Sequence, residues 1–228
     1  MEIIVLIPAY NPDNKLIDIV KELKEKTKYK ILIVNDGSSI DIKNTVFNEC
    51  SKYSTIINHN KNLGKGQAIK TGLKYIYDNF SKDSIILTAD ADGQHKVCDI
   101  FKLIKASAHT KDTLILGSRH FSDSAPLRSR FGNALTRLIF NILTHKKLKD
   151  TQTGLRCFPC EFIPDLLKIK GLRYEYEMNM LLEIIKSKRT IKEIEIETVY
   201  INDNSSSHFH VFRDSYLIYK NLIRFSRM

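Results

Sequence analysis

Short apolar runs alternate with amphipathic stretches through the first half of the chain. Residues 3–7, Ile-Ile-Val-Leu-Ile, form an unbroken apolar run closed by Pro8, the pattern of a strand buried on both faces. Residues 14–26 carry Leu16, Ile19, Val20 and Leu23 at helical spacing, with Asp13 placed to cap them. Residues 31–34 predict a second strand that stops at the turn signal Asn35-Asp36-Gly37. A helix near 41–51 and a short strand at 54–58 follow. Residues 65–79 read as a helix with Ala68, Ile69, Leu73 and Ile76 on one face. Residues 85–87 form a strand ending at Asp90, and a helix near 97–108 leads to a strand at 114–116. This β-α-β-α order predicts a largely parallel sheet with helices on both faces. Ligands of such sheets bind at the carboxyl ends of the strands.

The second half has a different texture. Residues 128–144 are amphipathic and basic, and 174–188 read as a helix. Between 191 and 201, Ile and Val alternate with Glu and Lys, which predicts an exposed or edge strand. Residues 202–207 are a polar loop. Residues 211–226 are helical, with Val211, Phe212, Tyr216, Tyr219, Leu222, Ile223 and Phe225 set among Arg and Lys. No repeat or linker interrupts the chain. The expected organisation is one α/β domain over 1–205 and a helical extension over 206–228, packed on that domain or on a membrane surface.

Composition narrows the class. A chain of 228 residues, 43% hydrophobic and 27% charged, can bury a domain-sized core and is not disordered. No apolar run approaches the ~20 residues of a membrane span. The expected location is therefore cytoplasmic, peripheral at the cytosolic face of a membrane. The net charge of +10 suits an anionic membrane surface or a phosphorylated substrate. The cysteines Cys50, Cys98, Cys157 and Cys160 form no disulfide framework. Cys157 and Cys160 have zinc spacing, but no second pair exists, so small buried thiols are the reading.

Candidate chemistry collects where strands end. Pro8-Ala9-Tyr10-Asn11 closes the first strand and Asn35-Asp36-Gly37-Ser38-Ser39 the second. An aspartate there can accept hydrogen bonds from a base or ribose, or it can simply cap a turn. Asn62-Leu63-Gly64-Lys65-Gly66 opens a helix, where backbone N–H groups and Lys65 can face an anion, although the P-loop ending is missing. Asp90-Ala91-Asp92-Gly93-Gln94-His95 is the strongest signal. Two aspartates one residue apart can place hard oxygen ligands on one Mg²⁺ or Mn²⁺, with substrate phosphates completing the shell. The EF-hand ladder is absent. This acidic site also argues against a nucleic-acid-binding module, which charge alone would suggest. A sugar nucleotidyltransferase is disfavoured because strand one ends in Pro8-Ala9-Tyr10-Asn11-Pro12 rather than a Gly-rich segment.

In this order, together with Gly117-Ser118-Arg119 and Asp150-Thr151-Gln152-Thr153-Gly154-Leu155-Arg156, these motifs resemble the family-two glycosyltransferases of GT-A fold. Within them the chain is most similar to the dolichyl- or polyprenyl-phosphate sugar synthases, over residues 1 to about 200. The resemblance implies a Rossmann-like GT-A fold and an inverting transfer of a hexose from a nucleotide sugar of GDP-mannose or UDP-glucose type to a polyprenyl phosphate. Growth of a cell-surface or lipid-linked glycan on a sugar hydroxyl is the alternative. It further implies Asp90, Asp92 and Gln94 at the metal. The donor would be met by Pro8, Tyr10, Asn11, Asp36, Lys65, Asp90 and Ala91, and the acceptor by Arg119, Arg130 and Arg156. Asp92, Arg119 and Asp150 are the expected catalytic residues. A hydroxyl acceptor would need a carboxylate base, for which Asp150, Glu175 and Glu177 are the candidates. The chain departs from the family at Pro12, where Glu is frequent, and in the loop from Asn204 to His210, which offers His208 and His210 in place of an Arg and a Ser-Lys pair. The membrane helices that trail many relatives are absent, which leaves a place for a separate membrane-protein partner.

Overall fold

The computed structural model describes residues 2–108, 110–119, 127–197 and 211–226, without the side chains of 127–133, 211–213 and 226. Seven strands form one sheet: β1 (Ile3–Ala9), β2 (Lys30–Asn35), β3 (Thr55–Asn58), β4 (Ile85–Thr88), β5 (Thr113–Arg119), β6 (Arg156–Pro159) and β7 (Thr190–Ile196). Their order is β3-β2-β1-β4-β6-β5-β7. Every pairing is parallel except those of β6, which runs against both β4 and β5.

The helices are α1 (Lys15–Lys26), α2 (Ile40–Ile42), α3 (Asn48–Cys50), α4 (Lys65–Asn79), α5 (Val97–Ser107), α6 (Leu127–Thr144), α7 (Ile163–Lys168), α8 (Glu175–Lys186) and α9 (Val211–Ser226). A π-helical turn, Lys43–Phe47, joins α2 to α3 where one continuous helix is expected. The pleat explains the layering. Ile4 and Leu6 of β1 join a cluster with Ala68, Ile69 and Leu73 of α4, Phe140 of α6 and Tyr176 of α8. Val5, Ile7 and Ala9, on the opposite face, pack with Leu16, Val20 and Leu23 of α1 and Ile100 and Leu103 of α5. Period-two alternation thus sends neighbouring residues into two cores, and both must be apolar. That is why β1 reads as an unbroken run.

Strand β7 is the edge strand its alternation predicts, while residues 198–201 lie outside the described residues. Strand β6 has no such signature: it is four residues with Arg156 at one end and Pro159 at the other. Cys157 and Cys160 are buried free thiols, and burial pushes the Cys157 thiol up to about 12. The expected boundary between residues 205 and 206 lies outside the described residues. Beyond it, α9 packs on α6 and α8 and buries Ile218 and Leu222 in the first cluster.

Candidate active site

Because β1, β2, β4 and β5 are parallel, their carboxyl ends share one edge of the sheet. Strand β6 begins at the same edge, since it runs the other way. The loops after β1, β2 and β4 and the loop before β6 therefore meet there, beside the end of β5.

The first two loops are laced together. Asn11 N–H donates to Ser38 Oγ at 2.8 Å, and Ser39 N–H donates to Asn11 Oδ1 at 2.9 Å. Asn11 takes φ +45°, a region that Asn tolerates better than most residues. Pro8 is buried within β1, and Tyr10 is half-buried beside Asn11. Asp36 is 2% exposed, and its carboxylate is fully engaged. Oδ1 accepts from Leu63 N–H at 2.9 Å and pairs with His59 Nδ1 at 2.7 Å; Oδ2 accepts from Gly64 N–H at 2.8 Å. Asp36, expected to meet the donor, also clamps the glycine-rich loop. Gly64 takes φ +103°, and a Cβ there would lie 2.4 Å from the Leu172 carbonyl oxygen, so the loop lies directly on the segment that opens α8.

Lys65 begins α4 at the centre of the site. Its Nζ lies 2.7 Å from Asp90 Oδ1 and 2.8 Å from Glu177 Oε2, with the Tyr174 ring centroid 5.7 Å away. Burial opposes the Lys65 charge, but the two carboxylates outweigh it and hold the ammonium above its ordinary range. Asp90 Oδ2 faces His95 Nε2 at 3.2 Å. A Cβ on Gly154 would fall 2.4 Å from Asp90 Oδ2, so only glycine lets the loop before β6 close on this carboxylate. Burial disfavours ionised Asp90, yet Lys65 and then His95 reverse that and hold its carboxyl far below the usual range. Asp92 shows the opposite balance: burial and the Asp90 charge both push its carboxyl up. Ala91 is half-buried between the two aspartates. Gln94 N–H donates to Asp92 Oδ1 at 3.0 Å.

These residues fit a hard divalent cation. Two carboxylates crowd one another, and the strain on Asp92 is what a cation would relieve. Among the described residues no cluster of three His, Cys, Asp or Glu side chains has ligand geometry, so substrate oxygens and water would complete the shell.

At the end of β5, Arg119 Nε donates to Asp150 Oδ2 at 2.6 Å and NH2 donates to Oδ1 at 3.1 Å. Asp150 is fully buried and also accepts from Gln152 N–H at 2.9 Å. Burial would raise its carboxyl, but the Arg119 charge and hydrogen bonds override that and hold it low. Asp150, expected as catalytic and as a candidate base, thus holds the Arg119 guanidinium through two hydrogen bonds. Arg156, expected at the acceptor, is 1% exposed, with Nε donating to the Thr153 carbonyl and NH1 to the Glu177 carbonyl. Neither Glu175 nor Glu177 is a solvated helix start: both are 7% exposed, and Glu175 Oε1 accepts from Leu172 N–H. The side chain of Arg130 lies outside the described residues, as do His208 and His210.

His59 and the contacts of Lys65 with Glu177 and of Gly154 with Asp90 were not singled out by the sequence. His95 had a signal, since it closes the motif that begins at Asp90, whereas the others are contacts across the fold.

The family profile for Glycosyl transferase family 2 matches residues 4–164. The protein MJ1222 of Methanocaldococcus jannaschii, itself described as uncharacterized, is 30% identical over 98% of this chain and 92% of its own length. A UDP-N-acetylglucosamine–dolichyl-phosphate N-acetylglucosaminyltransferase of Methanococcus voltae is 30% identical over 87% of this chain and 86% of that protein. Among solved structures, glucosyl-3-phosphoglycerate synthase from Mycobacterium tuberculosis, in complex with Mn²⁺, UDP and glucosyl-3-phosphoglycerate, superposes with a TM-score of 0.75. It covers 100% of this chain and 80% of that chain at 13% identity, a likeness of fold. With its strand-end motifs gathered on one edge of a GT-A sheet, this chain belongs to glycosyl transferase family 2.

Proposed function

We propose that the protein transfers a hexose or N-acetylhexosamine from a nucleoside diphosphate sugar to a polyprenyl phosphate, with inversion at the anomeric carbon. The Methanococcus voltae relative, named for a UDP-sugar and a dolichyl phosphate, supports both substrates. The observation that carries the reading is the Arg119–Asp150 pair. A sugar hydroxyl needs a base to take its proton, but Asp150 is buried and bound to Arg119, Glu177 is bound to Lys65, and Glu175 is buried and accepts from Leu172 N–H ahead of α8. A phosphate monoester is already ionised near neutral pH and needs only to be oriented. A guanidinium held in one plane by Asp150 suits that task, because it grips phosphate through paired N–H donors.

On the donor side, Asn11 and Ser38 fix the floor for the nucleoside, and the Asp36 clamp, which takes the N–H groups of Leu63 and Gly64, fixes the loop that sets Lys65 at the start of α4, where the helix N-terminus suits the diphosphate. Asp90, Asp92 and Gln94 would hold Mg²⁺ or Mn²⁺. When bound, the ion supplies positive charge against the leaving diphosphate.

The same reading places the protein peripherally on an anionic, cytosolic membrane face. Among the described residues no helix is long and apolar enough to cross a membrane. Helix α6 exposes Leu135, Leu138 and Ile142 at helical spacing, and α9 exposes Tyr216 and Ile223 beside Lys220 and Arg224. Amphipathic surfaces of this kind insert at the headgroup level. The test is incubation with Mn²⁺, a panel of nucleotide sugars and three acceptors: undecaprenyl or dolichyl phosphate, 3-phosphoglycerate, and an oligosaccharide. A glycosylated polyprenyl phosphate seen by mass spectrometry is expected. Transfer to the oligosaccharide alone would overturn the reading.

A further inference from the structure

Asp90 is already occupied by a cation that belongs to the chain. Lys65 Nζ sits 2.7 Å from Asp90 Oδ1 and 2.8 Å from Glu177 Oε2, and its side chain is only 18% exposed. The ammonium is guided there by its place as the first residue of α4, whose preceding loop is pinned through Leu63 and Gly64 to Asp36. Tyr174 adds its ring face at 5.7 Å. The other Asp90 oxygen faces His95.

We propose that Lys65 is a resident counter-ion which a divalent cation and the donor diphosphate displace together, so that each binds well only when the other is present. This rests on the reading of Asp90 and Asp92 as the metal site. A divalent ion arriving alone meets a fixed positive charge and a carboxylate already engaged by it, and like charges in a partly buried site repel strongly. A nucleoside diphosphate brings the negative charge that can draw Lys65 off Asp90. The freed carboxylate then faces the ion. Glu177 is the hinge point: paired with Lys65 but outside the Asp90-Ala91-Asp92 motif, it can keep one contact to the ammonium while the other is exchanged. By linkage, the factor by which nucleotide strengthens ion binding equals the factor by which the ion strengthens nucleotide binding.

Calorimetric titration of Mn²⁺ into the nucleotide-free protein tests this without any turnover. Lys65→Met should bind Mn²⁺ alone about tenfold more tightly than the wild type, and the strengthening by UDP or GDP should shrink by a similar factor. Lys65→Arg, which keeps the charge, should behave as the wild type. If Lys65→Met leaves Glu177 unpaired and fails to fold, Lys65→Met/Glu177→Gln removes the pair together and should show the same gain. Unchanged or weaker Mn²⁺ binding in the folded Met variants would overturn the proposal alone. Absence of Mn²⁺ binding to the wild type even with UDP or GDP would overturn the metal reading of the site, and the exchange with it.

Discussion

Around β1 and β2, side chains are positioned by main chain: Asp36 by the N–H groups of residues 63 and 64, Asn11 and Ser38 by each other's loops. At the end of β5 the anchor is a charge pair, Arg119 on Asp150, 31 residues apart and buried on the Asp150 side. Backbone clamps hold a rigid floor suited to a ligand that always presents the same nucleoside and diphosphate. An ion pair holds one guanidinium in register while α6 and α9 beside it leave apolar side chains exposed. The first region is closed and polar; the second leaves apolar side chains exposed, as the proposed polyprenyl acceptor requires.

The largest effect is expected between these regions. Asp92→Ala should lower kcat by about a thousandfold, because a cation at a developing charge supplies several kcal/mol. Unchanged circular dichroism and turnover that resists EDTA would break the metal assignment.

Asp150→Asn tests the charge pair as a structural anchor. Breaking a buried pair from one side costs about 3 kcal/mol, so the melting temperature should fall near neutral pH. The Asp150 carboxyl is held below its unfolded value, so its contribution is complete above about pH 4 and is lost as pH falls toward the folded value. The gap between wild type and variant should therefore close in acid. A gap that is constant from pH 3 to pH 7 would show that the charge plays no part.

Arg119→Ala should raise the acceptor KM by about 10- to 100-fold, the worth of one charge-assisted contact, and leave donor affinity measured by calorimetry unchanged. Asp36→Asn should do the reverse. It weakens the clamp by about 1–2 kcal/mol and lowers donor affinity about tenfold, with the acceptor KM unmoved. If both variants moved both constants, the two regions would not be separable. The smallest effect belongs to the surface: Lys220→Ala should reduce liposome partitioning about fivefold on anionic vesicles, with no change on neutral ones.

Much of this was legible in the chain itself. The five-residue apolar run of β1 and the 3.6-residue spacing of α1, α4 and α5 determine a doubly covered, mostly parallel sheet, because only that arrangement buries both faces of such strands. Turn residues after each strand mark the edge where such sheets take ligands, so the motifs of Asp90, Asp92 and Asn11 could be placed on that edge from their neighbours alone. Tertiary structure decided what those side chains are bonded to. Strand β6 carries no periodic pattern, and it exists because β4 and β5 offer hydrogen-bonding edges on either side of it. Asp36, Asp150 and Arg156 stand out in the sequence only as charged residues in motifs near strand ends. Their burial, and their partners 27, 31 and 21 residues away, came from the tertiary structure. Local sequence governs backbone preference and the side from which a residue emerges. Whether its charge meets solvent, substrate or another side chain depends on contacts distant in the chain, which no local pattern encodes.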